Sequence, residues 1–477
     1  MAYNCRDYRE ITNYFQAMFI KQSQRNWLLI LGGGLILLGS LSLRLWDIDR
    51  FPYPVFDEVH FPKFAENYLA GNPPNDGHPP LGKYLIALGI ILFGHNETGY
   101  RIASMVMGAC IPLLVTGLTY RLTSQTVLAI LAGLLTFADG LLLVESRYGL
   151  LNVFLVAIGL ASQIFLLAGL ERQAKERWVM LSLSGIMLGA CAGVKWNGAG
   201  FWLMTWILIA IALISKNMLT KKFGSKITTK LGFLTNLGDL PWYQYLVCFI
   251  VLPAIAYIGQ WTPHVIMVLK TFAPNAKGWE WLQAFGKHLV ISNQYIYIWN
   301  TSASSVGSPE HPIHPYCSSA ISWPLSMRPV GYYFHINEGI WQDVHALGNP
   351  ILWWLSTFAI IAIARWGIVK MRSELIYISV GYIANYLPWL AVKRCLFIYH
   401  YMSPSVFSFM ALAVAISFLY QRKQIWGKSI AVMMITIIFS AQIFFMPIWL
   451  GLPLSPQAFY QRMWFQPNSG IKGFNWI

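Results

Sequence analysis

Charged residues are scarce in this chain. Asp, Glu, Lys and Arg make up 11% of its 477 residues, less than half of the roughly 25% usual in a soluble domain, which excludes an ordinary water-solvated globule. Acidic residues are scarcer still, 19 against 34 Lys and Arg, leaving a formal charge of +15. Cysteine is limited to six. Cys110, Cys191 and Cys248 fall in apolar runs, Cys5 precedes the first run, and only Cys317 and Cys395 fall in polar connections facing outward, so no disulfide framework is expected. No Cys and His spacing of a zinc site occurs. No cleavable leader is expected: a polar stretch of about 26 residues precedes the first apolar run, which would then act as an uncleaved anchor. No internal repeat, low-complexity tract or Gly/Ser linker is visible, which argues against a string of domains and against a repeat-built transporter.

Apolar surface is what the chain has in abundance. Hydrophobic residues reach 56%, and Phe, Trp and Tyr together 15%. Runs close to the roughly 20 residues that cross a bilayer occur at 27–45, 101–120, 126–144, 149–169, 179–194, 199–215, 243–260, 349–366, 374–392, 396–419 and 428–450. They predict an all-α polytopic membrane protein of about eleven transmembrane helices. Residues 81–94 are too short for an untilted span and read as a helix lying at the interface; if they crossed, every later loop would change sides.

The basic residues supply the orientation. Arg6, Arg9, Lys21 and Arg25, then Arg172, Lys175 and Arg177, then Lys216, Lys221, Lys222, Lys226 and Lys230, then Arg365, Lys370 and Arg372, then Arg422, Lys423 and Lys428 share one side. By the positive-inside rule that side is cytoplasmic. The expected division is a cytoplasmic N-terminus 1–26, a transmembrane region 27–260 with an exoplasmic loop 46–100, a large exoplasmic loop 261–348, a four-helix transmembrane region 349–450 and an exoplasmic tail 451–477. The positive charge is then orientation signal plus attraction to anionic membrane lipids, and no nucleic acid is needed to explain it.

The candidate chemistry gathers on the exoplasmic side. Asp57 and Glu58 lie in the stretch from Tyr53 to Phe61, just beyond the first span. Charge that close to hydrocarbon is usually kept for a pathway, a partner or chemistry; a solvated turn with a helix N-cap is the plain alternative. The turn from Asp76 to Lys83 carries Pro79-Pro80, which stiffen it, and it could hold His78 and Lys83 over the site. Lys83 could equally snorkel to headgroups. Glu145 and Arg147 fall in a very short turn between two apolar runs. A guanidinium there suits a lipid phosphate, with an ion pair to Glu145 or snorkelling as the alternatives. Lys195 ends another run as a clamp or an interface anchor, Lys393 and Arg394 occupy a comparable outer turn, and His400 sits slightly deeper.

These pieces resemble, in order, the protein O-mannosyltransferases, the polyprenyl-phosphate-mannose-dependent glycosyltransferases of the GT-C membrane fold. The matching segments are Phe56 to His60, His78 to Lys83, Glu145 to Tyr148, the Lys195-Trp196 turn, His314 to Pro324, and Arg328 to Tyr333. The resemblance implies a GT-C bundle whose exoplasmic loops contain short interfacial helices. It places the catalytic centre at Asp57 and Glu58 and maps the arginine of the Ser-Arg-Tyr motif to Arg147. Substrate-positioning roles then fall to His60, His78, Lys83, Glu145, Tyr148, His314, Trp323 and His400. Two features depart from the pattern: Glu145 stands where the family often has Gln, and Asn152 where it often has Asp. The segment 261–348 is also too short for the β-trefoil domain of eukaryotic relatives, which favours a prokaryotic member at the plasma membrane.

The implied reaction moves mannose from a polyprenyl-phosphate-mannose donor to a Ser or Thr hydroxyl of a protein at or beyond the translocon. Such a hydroxyl is a poor nucleophile, so Asp57 or Glu58 is expected to accept its proton as it attacks the anomeric carbon. Arg147, Lys195, Lys393 and Arg394 are the candidates to stabilise the departing lipid phosphate. No cofactor is then required, and a divalent ion held by Asp57 and Glu58 is the lesser alternative, since adjacent carboxylates give an incomplete shell. Two other readings stay open. A GT-C relative that glycosylates a lipid shares the donor chemistry, and a transporter or flippase would use deep charges such as Asp139.

Overall fold

The computed structural model describes residues 22–223, 232–302, 307, 314–466 and 475–476. Cys5, Arg6, Arg9, Lys21, Lys226 and Lys230 lie outside the described residues. From the N-terminus come α1 (Gln22–Leu45), a short 3-10 turn (Phe56–Val59), α2 (Phe61–Leu69), α3 (Leu81–Phe93) and α4 (Glu97–Thr123). The chain continues through α5 (Thr126–Phe137), α6 (Gly140–Arg147), α7 (Asn152–Leu170), α8 (Ala174–Val194), α9 (Ala199–Phe223) and α10 (Phe233–Gly238). Then follow α11 (Trp242–Phe272), α12 (Gly278–Thr301), the hairpin β1 (Val330–Asn337) and β2 (Ile340–Ala346), α13 (Pro350–Lys370), α14 (Ser373–Leu390), α15 (Met402–Tyr420), α16 (Ile425–Leu450) and α17 (Pro456–Tyr460).

Among the described residues nine helices are long and apolar enough to cross a membrane, ten if the bent pair α5 and α6 counts as one span. Helix α14 occupies the remaining expected position with 18 residues. The protein is therefore a polytopic helical membrane protein. Helix α7 forms its axis: 83% of its apolar window is buried, against 22% for α1, which turns most of its surface outward. Lipid tails are as apolar as leucine, so close backbone approach replaces the hydrophobic effect as the glue between spans. Helices α8 and α11 show how. A Cβ at Gly185 would lie 1.8 Å from the Cys248 carbonyl oxygen, and one at Gly189 2.1 Å from that of Pro253. Any larger residue at either position pushes the two helices apart.

Three expectations need correction. The run 126–144 is not one straight span but breaks by 61° between α5 and α6. Asp139 causes the break by capping α6: its carboxylate accepts from the Leu142 N–H at 2.9 Å, the Asn349 N–H at 3.2 Å and the Trp353 indole at 2.6 Å. Its oxygens are thus used in capping and cross-linking, which removes the reason to read Asp139 as part of a transport path. Secondly, 261–348 is not simply a loop. Helix α11 runs on to Phe272 and α12 adds 24 residues, the two sharing a small core of Trp261, Val265, Leu269 and Ile296. Polar residues end the apolar run there without ending the helix. The β-hairpin, paired antiparallel from Val330 with Ala346 to Asn337 with Ile340, was not foreseen.

Thirdly, Cys317 and Cys395 form a disulfide across a separation of 78 residues. It ties the segment before the hairpin to the outer turn after α14, where the Cys395 N–H also donates to Gly307 and the Ser318 N–H to Leu396. Closing a loop of that length is worth about 2–4 kcal/mol. Both thiols are expected to resist a membrane-impermeant maleimide until a reductant is added, and Cys317→Ser to lower the melting temperature by several degrees. Labelling of both cysteines without reduction would overturn the bond.

Candidate active site

The first outer loop is folded around one ion pair. Its 3-10 turn is entered through Phe56 at φ 54, a left-handed conformation that costs a bulky residue on the order of 1–3 kcal/mol. Stacking of the Phe56 ring on Tyr332 of β1, 4.2 Å between centroids, opposes that cost. Two residues on, Glu58 turns inward. Its Oε1 accepts from Arg101 Nε at 2.9 Å and from the Gly149 N–H at 2.6 Å. Its Oε2 accepts from the same guanidinium at 2.9 Å and from the Val55 N–H at 2.9 Å. These four bonds fill the acceptor sites of a carboxylate, and the pair is sealed, the two side chains 1% and 0% exposed. Glu58 is thereby withdrawn from the expected choice of bases, and it has no lone pair left to share a metal with Asp57. The remaining guanidinium hydrogens grip the carbonyls of Ile48, Phe51 and Tyr53.

Asp57 is the opposite case. Its partly buried carboxylate makes no hydrogen bond or ion pair with the described residues. Burial pushes its pKa above the ordinary carboxylate range, Lys195 and then His60 pull it back, and Asp76 adds a smaller push upward. Lys195 follows directly on α8 and is itself buried. Its Nζ donates to Asn152 Oδ1 at 3.1 Å and lies 5.5 Å from the Tyr399 ring centroid. Asn152 in turn donates through Nδ2 to Glu145 Oε2 at 2.9 Å, while the other Glu145 oxygen accepts from the Tyr332 hydroxyl. Burial lowers the Lys195 pKa, and Asp57 and Glu145 partly restore it. The lysine therefore feels both carboxylates without being capped by either.

Arg394 is the second cation of the cluster. It donates to the Asn300 carbonyl at 2.8 Å, to Asn300 Oδ1 at 3.2 Å and to the Cys395 carbonyl at 3.2 Å, which among the described residues leaves part of its five-donor fork unused. Its charge reaches Lys195, His78 and His400. The pKa of His78 is pushed well below its ordinary range by burial and then by Lys195. His400 donates through Nδ1 to the Phe397 carbonyl, 2.9 Å away, with its ring 4.3 Å from Trp389 and 5.9 Å from Trp323.

Of the predicted residues, then, the fold brings together Asp57, Glu145, Lys195, Arg394, His78 and His400. Around them stand Asn152, Tyr332, Tyr399 and Asp76, none of which was singled out as a site residue. Others lie one step away. Lys83 is buried against Asp76 at 2.5 Å and the His78 carbonyl at 2.7 Å, so it braces the 76–83 turn and does not snorkel. Tyr148 packs under the Arg101 guanidinium at 5.3 Å, His314 lies edge-on to Phe397 at 4.9 Å, and Trp323 supports His400. His60 and Lys393 are exposed. No three His, Cys, Asp or Glu side chains converge as a metal site among the described residues.

Arg147 needs the largest correction. It belongs to the last turn of α6, not to a turn between spans, and it faces away from the cluster. NH1 donates to the carbonyls of Leu43, Arg44 and Trp46 at 2.9–3.0 Å, and NH2 to that of Asp47 at 3.1 Å. Those carbonyls belong to the end of α1 and the turn just beyond it, so the guanidinium caps that end with both terminal nitrogens; only its buried Nε is without a partner among the described residues, and it is not turned to the cluster as a phosphate clamp.

Both arginine assignments can be checked by substitution. Arg101→Met leaves the Glu58 charge buried and unpaired, a loss of about 3–5 kcal/mol, and should drop the melting temperature sharply. Arg147→Ala should also melt early, yet bind a polyprenyl phosphate as wild type does below its melting range. Loss of lipid-phosphate affinity in folded Arg147→Ala would restore the clamp.

Two family models cover most of the chain. The one described as dolichyl-phosphate-mannose-protein mannosyltransferase matches residues 34–98 and 92–269. The one described as the C-terminal four TMM region of protein-O-mannosyltransferase matches 289–371 and 363–468. The polyprenol-phosphate-mannose–protein mannosyltransferase of Mycolicibacterium smegmatis is 26% identical over 454 residues, covering 86% of this chain and 87% of that one. Its counterpart in Mycobacterium tuberculosis is 26% identical, with 92% and 91% covered. In fold, the chain is similar to the S. cerevisiae protein O-mannosyltransferase Pmt1-Pmt2 complex bound to the sugar donor, with a TM-score of 0.75 over 96% of this chain and 93% of that one at 14% identity. ArnT from Cupriavidus metallidurans bound to undecaprenyl phosphate follows at TM-score 0.55, covering 92% and 68% at 13% identity. The chain belongs to the protein O-mannosyltransferase family of GT-C membrane glycosyltransferases.

Proposed function

We propose that this protein transfers mannose from polyprenyl-phosphate-mannose to Ser and Thr hydroxyls of exported proteins, with Asp57 as the base of a single inverting displacement. The observation that carries the mechanism is the asymmetry of the acidic pair: Glu58 is spent on Arg101, while Asp57 makes no bond to the described residues and feels the charge of Lys195, with Arg394 next to that lysine. The Asp57 carboxylate takes the hydroxyl proton as the oxygen attacks the anomeric carbon from the face opposite the phosphate. Lys195 and the unused part of the Arg394 fork meet the charge that develops on the departing lipid phosphate. Two cations suit a monophosphate leaving group, so the reaction is proposed to need no divalent ion. Tyr332, hydrogen-bonded to Glu145, and Tyr399, beside Lys195, are the side chains proposed to meet the sugar.

The distribution of basic loops supports a multi-pass inner-membrane orientation with the N-terminus cytoplasmic and the Asp57 side exoplasmic. Acceptors then reach the site after they cross the membrane, and the donor reaches it laterally from the bilayer.

Asp57→Asn keeps size and removes the proton acceptor, so transfer to a Ser/Thr peptide should fall roughly 10²–10⁴-fold with the melting temperature unchanged. The acid limb of kcat/KM should lie above the ordinary carboxylate range, because the base works only when ionised and burial raises its pKa. Lys195→Met removes the main influence lowering that pKa, so in this variant the limb should move to still higher pH. Radiolabelled mannose appearing in lipid and never in peptide would sink the acceptor assignment. Wild-type rates in Asp57→Asn would sink the mechanism.

A further inference from the structure

Beside the catalytic cluster lies a cavity of about 450 Å³ that the mechanism above does not use. Its volume falls within the roughly 300–1,000 Å³ of ligand-binding pockets. One wall is the loop from Gly71 to Asp76, stiffened by Pro73-Pro74. The facing wall consists of two helix faces. Trp261, His264 and Val268 come from α11, and His288, Ser292 and Tyr295 from α12, each set recurring at the helical spacing of three and four. Tyr68 closes one side through a 2.8 Å hydrogen bond to His264 Nδ1. The inner end is formed by Asp76 and His78, the two lining residues that also belong to the electrostatic neighbourhood of Asp57 and Lys195.

The chemistry of this lining selects among the reactants. A phosphate needs cations, and no Lys or Arg lines the cavity; Lys83, whose charge reaches His78 and His264 of the lining, is consumed by Asp76. The cations that suit the donor, Lys195 and Arg394, lie beyond His78 in the cluster. What the cavity offers instead is aromatic surface with amides and hydroxyls: Trp261 and Tyr295 beside Asn72, Asn75, Thr271 and Ser292. Aromatic walls with scattered neutral donors and acceptors suit an extended, uncharged polypeptide whose backbone seeks hydrogen bonds and whose small or proline side chains stack on rings.

We propose that this cavity is the acceptor subsite: it seats the residues flanking the target Ser or Thr, in extended conformation, and delivers the hydroxyl past His78 to Asp57. The assignment rests on the acceptor being a protein, as proposed above. It also gives the long helix α12 a purpose, since that helix supplies part of the wall facing the 71–76 loop.

The test uses the full-length protein in nanodiscs with mannosyl-phosphoryl-polyprenol and an uncharged peptide of Ser, Thr, Pro and Ala. Ser292→Trp fills the cavity and should raise the peptide KM at least about tenfold while the donor KM changes less than about twofold. Gly286→Trp, on the same helix but where an added Cβ would meet open space, is the control for helix disruption and should leave both constants near wild type. Ser292→Asp tests charge without bulk: it should weaken peptides with a flanking Glu and favour those with a flanking Lys. An unchanged peptide KM in a folded Ser292→Trp protein, with no change of charge preference in Ser292→Asp, would overturn the subsite. A rise in donor KM alone would give the cavity to the lipid. Failure of the wild-type protein to mannosylate the peptide at all would instead strike the acceptor reading on which the subsite rests.

Discussion

The buried pair of Arg101 and Glu58 is the constraint on which the rest of the site depends. Desolvating two charges costs several kcal/mol each, and the arrangement is stable only because every oxygen and nearly every guanidinium hydrogen finds a partner. The partners come from separate stretches of chain: the carbonyls of Ile48, Phe51 and Tyr53, and the N–H groups of Val55 and Gly149. One ion pair on α4 therefore fixes the loop that follows α1 and the end of α6 at the same time. Gly149 belongs to this design, since a Cβ there would lie 2.8 Å from the Tyr100 carbonyl and 3.5 Å from Glu58 Oε1. The left-handed Phe56 and the unbonded Asp57 are then held in place by the anchorage of their neighbour.

Two further buried arginines extend the same principle. Arg147 caps the end of α1, and Arg44, in the last turn of that helix, reaches Ser146 Oγ at 2.7 Å and Ser40 Oγ at 2.6 Å. Where helices end near the membrane surface, carbonyls lose their intrahelical donors just where water becomes scarce. A guanidinium satisfies several at once. The cations near the reacting centre are different in kind: Lys195 is held by a neutral amide and Arg394 by neutral oxygens, so their charge remains to act on a ligand.

The architecture was legible in the sequence to the extent that it rests on apolar length. The runs became helices, and the acidic pair, the Lys195 turn and the Arg394 turn do converge. Partnering was not legible. Apolar periodicity cannot register a cap, so the break at Asp139 and the continuation of α11 through Pro263 to Phe272 were both missed. Nothing in the local sequence tells that Glu58 has a guanidinium 43 residues away while Asp57 has none, nor that Arg147 faces α1. Arg101 itself looked like the first residue of a span. Two outward cysteines, Cys317 and Cys395, make no framework in the sequence, yet the fold joins them in a single bond. Asn152 was visible only as a departure from the family pattern. Its meaning appears with Glu145 beside it: acid and amide remain hydrogen-bonded to each other at 2.9 Å.

Lys195 follows a helix in the first half of the chain, whereas Arg394 stands on a turn in the second half, stapled by the Cys317 to Cys395 bond to the segment ahead of the hairpin. Neither half carries both cations. On the proposed mechanism the strength with which the phosphate is held is thus a property of the seam between them, so a slight slip of one half against the other would alter the field at Asp57 without displacing any single side chain from its own neighbours. Substitutions far from Asp57, at the crossings where spans touch backbone to backbone, would for that reason tune the reaction in small increments, as a frame sets the gap between two electrodes.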